Sequence, residues 1–122
     1  MKQKLVLYFT IIIFSFVSCN ESSKKSDDIN GQKIIQENIE VLKSISQSDS
    51  LIYIAQEMDE QLSQNHSDSL LAEYRKEVAY ILYQRSNFRL AKEYFSKSEA
   101  SYHKANMPLQ ANQMLANTAI IN

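Results

Sequence analysis

The stretch that says most about the architecture of this chain is residues 78–95, which read VAYILYQRSNFRLAKEYF. Apolar residues recur every three or four positions on both sides of the polar pair Ser86–Asn87, which is the pattern of two helices joined by a short loop. Ala79 and Ala91 are small, so the backbones of the two helices can approach each other closely. The bulky residues that we expect to fill the space beside them are Phe88 and Phe95.

Similar apolar stripes run through the chain from Gly31 onward and predict helices throughout. The stripe residues, in five groups, are Ile35, Ile39, Leu42 and Ile45; Leu51, Ile54, Ala55, Met58 and Leu62; Leu71, Tyr74, Val78 and Leu82; Phe88, Ala91, Phe95 and Ser98; and Ala111, Leu115, Thr118 and Ala119. Polar clusters separate the groups at residues 47–50, 65–69, 86–87 and 104–106. The period-two alternation typical of strands is absent. The sequence therefore predicts an all-α fold of antiparallel helices joined by tight loops.

The pair Val78–Ala79 has counterparts 37 residues away on either side, at Val41–Leu42 and Leu115–Ala116. A fixed period of paired helices indicates a solenoid of helical hairpins. The residues whose order and spacing carry a family resemblance are Val78, Ala79, Leu82, Phe88, Ala91 and Phe95. They resemble the motif of the tetratricopeptide repeat (TPR) family, although the chain has no tryptophan and has Ser86 in place of the family's usual glycine.

The TPR resemblance implies helical hairpins stacked as a short solenoid over residues 31–122, with about two repeats and a last unpaired helix. A generic helical bundle is the alternative. In TPR proteins the first helices of the repeats line a concave groove that binds peptides or helices. The positions that match this groove are Glu73, Lys76, Tyr80, Tyr83, Gln84, Gln110, Gln113 and Asn117. The two tyrosines offer large contact areas with polar tips, unless they are ordinary half-exposed side chains.

The N-terminus has the layout of an export signal. Lys2 and Lys4 precede an apolar run of 13 residues from Leu5 to Val17, and polar sequence follows. A transmembrane anchor needs about 20 apolar residues, so the run is short for one. A transmembrane anchor and a secreted soluble protein remain the alternatives to the interpretation that follows.

Ser18 and Cys19 close the apolar run and resemble the end of a bacterial lipoprotein signal, in which the cysteine is lipidated. That family prefers leucine where this chain has Phe16. The resemblance implies a signal peptide over residues 1–18, then a lipidated Cys19 and a flexible linker over residues 19–30. We therefore expect the protein in the cell envelope, held to a membrane by the lipid on Cys19.

The composition argues against several functional classes. The 13 Lys and Arg residues against 14 Asp and Glu residues give a net charge of −1, which is no footprint for nucleic acid. Cys19 is the only cysteine, so a disulfide within the chain and a zinc-finger spacing are both excluded. His66 and His103 have no nucleophile or metal-ligand spacing around them, and we interpret them as exposed side chains. The acidic residues that we interpret as a solvated helix face are Glu57, Asp59 and Glu60.

These observations predict a protein that is not an enzyme and needs no cofactor or metal. The main interpretation is a membrane-anchored, TPR-like lipoprotein that acts as an adaptor for another protein or a peptide outside the cytoplasm. The alternative is the extracytoplasmic N-terminal sensor of a longer TPR-containing transcriptional regulator or signalling kinase. The apolar C-terminal helix also suggests self-association through residues 111–121.

Overall fold

The computed structural model describes the backbone of residues 20–121, with side chains described from residue 29 onward. The described part forms five helices: α1 (Asn20–Ser44), α2 (Ser48–Asn65), α3 (Asp68–Gln84), α4 (Phe88–Lys104) and α5 (Pro108–Ile121). The all-helical prediction is confirmed for these residues, and the breaks between helices fall at the predicted polar clusters. Cys19 and the predicted signal peptide over residues 1–18 lie outside the described residues.

The first helix begins earlier than the sequence predicts. Its backbone is helical from Asn20, whereas the sequence predicts a flexible linker over residues 19–30. The segment contains no proline and no glycine before Gly31, so nothing local prevents a helical backbone. Residues up to Gly31 belong to a separate unit, and Gln32–Asn122 form the compact unit to which the packing below refers. The role of the linker as a membrane tether stays a prediction.

The compact unit is organised around α3, which packs against α2 on one side and α4 on the other. The helix α4 packs in turn against α5. A hydrogen bond ties α3 to α2, since the Tyr74 hydroxyl donates to the Ala55 carbonyl at 2.7 Å. The buried residues of α3 are Leu70, Leu71, Ala72, Tyr74, Val78, Ala79, Ile81 and Leu82. With neighbours on two sides, α3 buries more than one stripe of side chains.

Small residues line the contact between α3 and α4. Ala72, Ala79, Ala91 and Ser98 are fully buried there. The Ser98 hydroxyl donates to the Ala72 carbonyl at 2.8 Å, a distance that requires the two backbones to be close. The expectation from Ala79 and Ala91 is therefore confirmed. Helix α1 contains no alanine, and it approaches the other helices less closely.

The internal repeat is 40 residues long, so the 37-residue period predicted from the sequence is wrong. Helices α2 and α4 begin at Ser48 and Phe88, and α3 and α5 begin at Asp68 and Pro108, each pair 40 residues apart. Burial follows the same shift: the buried residues Leu51, Ala55 and Leu62 of α2 correspond to Ala91, Phe95 and Tyr102 of α4, and Leu71 and Tyr74 of α3 correspond to Ala111 and Met114 of α5. A 37-residue shift instead pairs buried Val78 with Val41 and Leu115, which are both exposed.

Three predicted core positions are exposed instead. Leu115 and Ala119 face away from α4, because the inward side of α5 is centred on Ala111 and Met114, one position round from the predicted stripe. Phe88 is the first residue of α4 and is half exposed, with its ring edge-on to Tyr83. Phe95 fills the space between α3 and α4 as predicted, and is buried.

The turns after α3 and α4 have the same geometry. Ser86 and Asn106 have positive φ angles of 63° and 57°. After α3, the Asn87 N–H donates to the Leu82 carbonyl at 2.9 Å and the Ser86 N–H donates to the Tyr83 carbonyl at 3.0 Å. The corresponding bonds recur 20 residues later, which makes both turns Schellman motifs. Equal turns after helices of equal length keep the hairpins in register.

A buried polar cluster ties three helices together. The Arg75 guanidinium on α3 donates to both carboxylate oxygens of Asp59 on α2, at 2.8 and 2.9 Å. It also donates to the Ser101 hydroxyl on α4 at 2.8 Å. The prediction that Asp59 belongs to a solvated face is therefore wrong, because its side chain is mostly buried and paired. Its neighbours Glu57 and Glu60 are exposed, as predicted.

Candidate functional site

The structure brings three of the eight predicted groove residues together. Tyr80 and Tyr83 lie one turn apart near the end of α3, and Asn117 lies on α5. Both helices pack on α4, which places their free faces side by side. The Asn117 side-chain amide donates to the Tyr80 hydroxyl at 3.2 Å and links the two helices.

Both tyrosine rings are held in place by aromatic neighbours on α4. The rings of Tyr80 and Phe95 have centroids 5.1 Å apart at an interplanar angle of 83°. The rings of Tyr83 and Phe88 lie 5.3 Å apart at 65°. Edge-to-face contacts of this kind favour one orientation of each ring. The side chains nevertheless keep 40% and 44% of their surface exposed, so they present fixed aromatic surface to solvent.

These tyrosines border an open, mainly apolar pocket of about 200 Å³. The residues lining it are Tyr80, Tyr83, Phe95, Asn117, Ile120 and Ile121. The sequence analysis missed the contribution of Ile120 and Ile121 to this pocket. The correct repeat period would have found the first of them, since Ile120 is the position equivalent to Tyr80 after a shift of 40 residues.

A larger groove of about 540 Å³ lies between α1 and α3. Its apolar lining comes from Ile35, Ile39, Leu70 and Met107, and its polar lining from Gln32, Gln36, Glu40, Lys43, Ser69, Glu73 and Glu77. Two of these charges are paired in ways that differ in strength. Lys43 and Glu40 form an exposed pair at 3.9 Å, whose contribution is small.

Glu73 is the most strongly held polar residue of the groove. It accepts hydrogen bonds from the Lys76 ammonium at 2.8 Å and from the Tyr102 hydroxyl at 2.6 Å. Partial burial acts to raise the pKa of Glu73, but these two hydrogen bonds outweigh it and bring the pKa below its ordinary value. Glu73 is therefore ionised at neutral pH. Its partner Tyr102 has a raised pKa, first because of burial and then because of its bond to this carboxylate.

The other predicted groove residues occupy separate places. Lys76 is half-buried against Glu73 and does not line the groove itself. Gln84 is exposed at the end of α3, and Gln110 and Gln113 lie on α5 outside both the pocket and the groove. The predicted continuous surface is thus divided into a tyrosine pocket between α3 and α5 and a partly acidic groove between α1 and α3.

The histidines differ in their surroundings. His103 is exposed, with its imidazole 3.7 Å from Glu99. His66 is only half exposed, because it caps the end of α2, where its backbone N–H donates to the Leu62 carbonyl at 3.0 Å. Among the residues from 20 to 121, no group of three or more His, Cys, Asp and Glu side chains is placed to hold a metal ion.

Tyr94 is the one buried hydroxyl without a hydrogen-bond partner among the described side chains. Burial is the main cause that raises its pKa to about 12. The Lys97 ammonium lies 5.1 Å from the centre of its ring.

No helix in the described part of the chain combines the length and the apolar character needed to cross a membrane.

Comparisons with known proteins place this chain in no family. A scan against protein-family models, a search of curated proteins and a search of solved structures each returned no match. The class of protein that the fold defines is therefore an all-helical one, with five described helices whose last four repeat at 40 residues.

Proposed function

We propose that this chain is a membrane-anchored, TPR-like lipoprotein that binds another protein or a peptide outside the cytoplasm. The observation that carries the binding role is the pocket between α3 and α5, where Tyr80, Tyr83 and Asn117 meet. Clustered, preoriented tyrosines are typical of binding hot spots, because they give up little conformational freedom when a partner covers them.

The shape of the pocket favours a partner that inserts an apolar side chain. Aromatic rings and isoleucines form most of its wall, while the Tyr80 hydroxyl and the Asn117 amide supply polar atoms at its edge. An extended or helical peptide could place one apolar residue in the pocket and pair its backbone with these polar atoms. The fold supports this proposal because α3 and α5 stand in equivalent positions of successive hairpins.

The cellular location in the proposal depends on the N-terminal sequence. A single acyl chain binds membranes only marginally, whereas several chains on one residue give stable anchoring. The lipoprotein resemblance at Ser18–Cys19 implies such a multiple modification. An anchored adaptor would present its pocket to partners in the same envelope compartment.

Site-specific photocrosslinking tests the binding role. A photoreactive phenylalanine analogue is introduced at Tyr83 in the full chain and activated in intact cells. The matched control carries the same analogue at Tyr53 on α2, an exposed tyrosine that lies outside the pocket. We expect a discrete adduct from position 83 and none from position 53, with mass spectrometry identifying the adduct.

The Tyr80→Ala change then shows whether that adduct depends on the pocket. It removes the ring that faces Phe95 and the hydroxyl that binds Asn117, so the adduct from position 83 should fall at least about tenfold. Circular dichroism confirms that the variant stays folded. No adduct at position 83, or an equal yield at position 53, would contradict the proposed binding surface.

A further inference from the structure

One face of α5 is exposed although its counterpart on α3 is fully covered. After the 40-residue shift, Ala72, Arg75 and Ala79 of α3 correspond to Asn112, Leu115 and Ala119 of α5. On α3 these residues contact α4: Ala72 and Ala79 have no exposed surface, and Arg75 bonds Ser101. On α5 all three are exposed, and Leu115 keeps 53% of its surface in water.

The helix α5 also differs from the other four described helices in charge. It contains no Asp, Glu, Lys or Arg, whereas each of the others carries several such residues. Its exposed apolar residues include Leu109, Leu115 and Ile120. An exposed helix face of a soluble domain normally carries charges, so an uncharged one indicates a surface that is covered in the assembled protein.

We infer that the face formed by Asn112, Leu115, Ala116 and Ala119 pairs with the same face of a second copy of this chain, with the two α5 helices antiparallel. A two-fold interface must be self-complementary, and this face meets that requirement. With the axis between residues 115 and 116, each Leu115 lies against the small Ala116 of the partner subunit. Ala119 of one copy lies near Asn112 of the partner subunit. Because the face is uncharged, no like charges are brought together.

The helix length limits the strength of this pairing. The 14 residues of α5 span about 21 Å, which is short for a stable interface of roughly 800 Å² per partner. We therefore expect a reversible dimer with a dissociation constant on the order of micromolar or weaker. A dimer would carry two tyrosine pockets, because each copy keeps its own α3–α5 surface.

Sedimentation equilibrium of the full chain in density-matched non-ionic detergent tests the inference. The variant Leu115→Glu places a charge at the centre of the face and should weaken dimerisation at least about tenfold. The matched control is Gln113→Glu, which adds the same charge to the same helix about 160° around it. Its counterpart on α3 is Glu73, so a carboxylate suits that side of the helix, and we expect unchanged dimerisation.

Both substituted residues are exposed, so neither change should unfold the domain, and circular dichroism checks this. A monomer at every concentration overturns the inference. An association that both variants weaken equally, or that neither weakens, overturns it too, because the contact would then lie elsewhere. These outcomes are separate from the crosslinking at Tyr83, which reports on the neighbouring pocket and does not require a second copy.

Discussion

Ser86 and Asn106 end α3 and α4 in the left-handed region, which costs energy for any residue with a Cβ atom. Asparagine tolerates this region better than serine, because its side chain can bond the local backbone. The position of Ser86 is where the TPR motif has glycine, and the φ angle of 63° supplies the physical reason for that preference. At the residue scale, the strain at Ser86 is the clearest departure from an optimal repeat.

We predict that Ser86→Gly stabilises the domain by about 0.5–1 kcal/mol, because glycine adopts a positive φ without steric cost. The matched control is Ser96→Gly, at an exposed position within α4, where glycine should destabilise by about 0.5–1 kcal/mol. Urea unfolding followed by circular dichroism measures both changes. Equal destabilisation by the two variants would show that the turn at Ser86 is not strained.

Single polar residues also show where a sequence pattern is ambiguous. Asp59 lies between Glu57 and Glu60 in a helix rich in acidic residues, and the pattern alone does not distinguish the three. The partner Arg75 is 16 positions away in the sequence, and the chain reversal between α2 and α3 brings the two together. A bidentate pair of this kind becomes visible only when both helices are in place.

At the scale of helices, the close contact between α3 and α4 depends on small side chains. Ala72, Ala79 and Ala91 have no exposed surface, and the bond from Ser98 to the Ala72 carbonyl measures how near the backbones are. The sequence predicted this contact correctly from Ala79 and Ala91. It misplaced the repeat period, because pairs such as Val41–Leu42 resemble Val78–Ala79 in composition but face differently once the helices pack.

We predict that Ala79→Leu destabilises the domain by about 1–3 kcal/mol, since the added atoms have no space between α3 and α4. Ala100→Leu is the matched control, because Ala100 is exposed on α4 and the same change there should alter the free energy of unfolding by less than about 0.5 kcal/mol. Thermal unfolding compares the two. Similar values for both variants would argue against tight packing at Ala79.

At the scale of the whole molecule, the question is how the helical domain is delivered to a membrane. The proposed anchor depends on one residue, Cys19, at the end of an apolar run that has the length of a signal peptide rather than of a membrane span. The helical domain supplies a pocket and an uncharged helix face, and the anchor would hold both at the membrane surface.

We predict that Cys19→Ser abolishes incorporation of radiolabelled fatty acid and moves the protein out of the membrane fraction, because the modified sulfur is lost. Ser18→Ala is the control, since it keeps a small residue before the cysteine and should leave labelling unchanged. Labelling that persists in Cys19→Ser would contradict the lipoprotein assignment, and membrane retention without any labelling would favour an uncleaved apolar anchor.

The sequence by itself determined the helical class, the positions of the loops and most of the buried stripe residues, because helical periodicity and turn-forming residues are local properties. Only the tertiary structure decided the 40-residue register, the Asp59–Arg75 pair and the meeting of Tyr80 with Asn117. These features depend on how each helix is rotated against its neighbours. A rotation of one residue in α5 buries Met114 and exposes Leu115, and local spacing does not specify it.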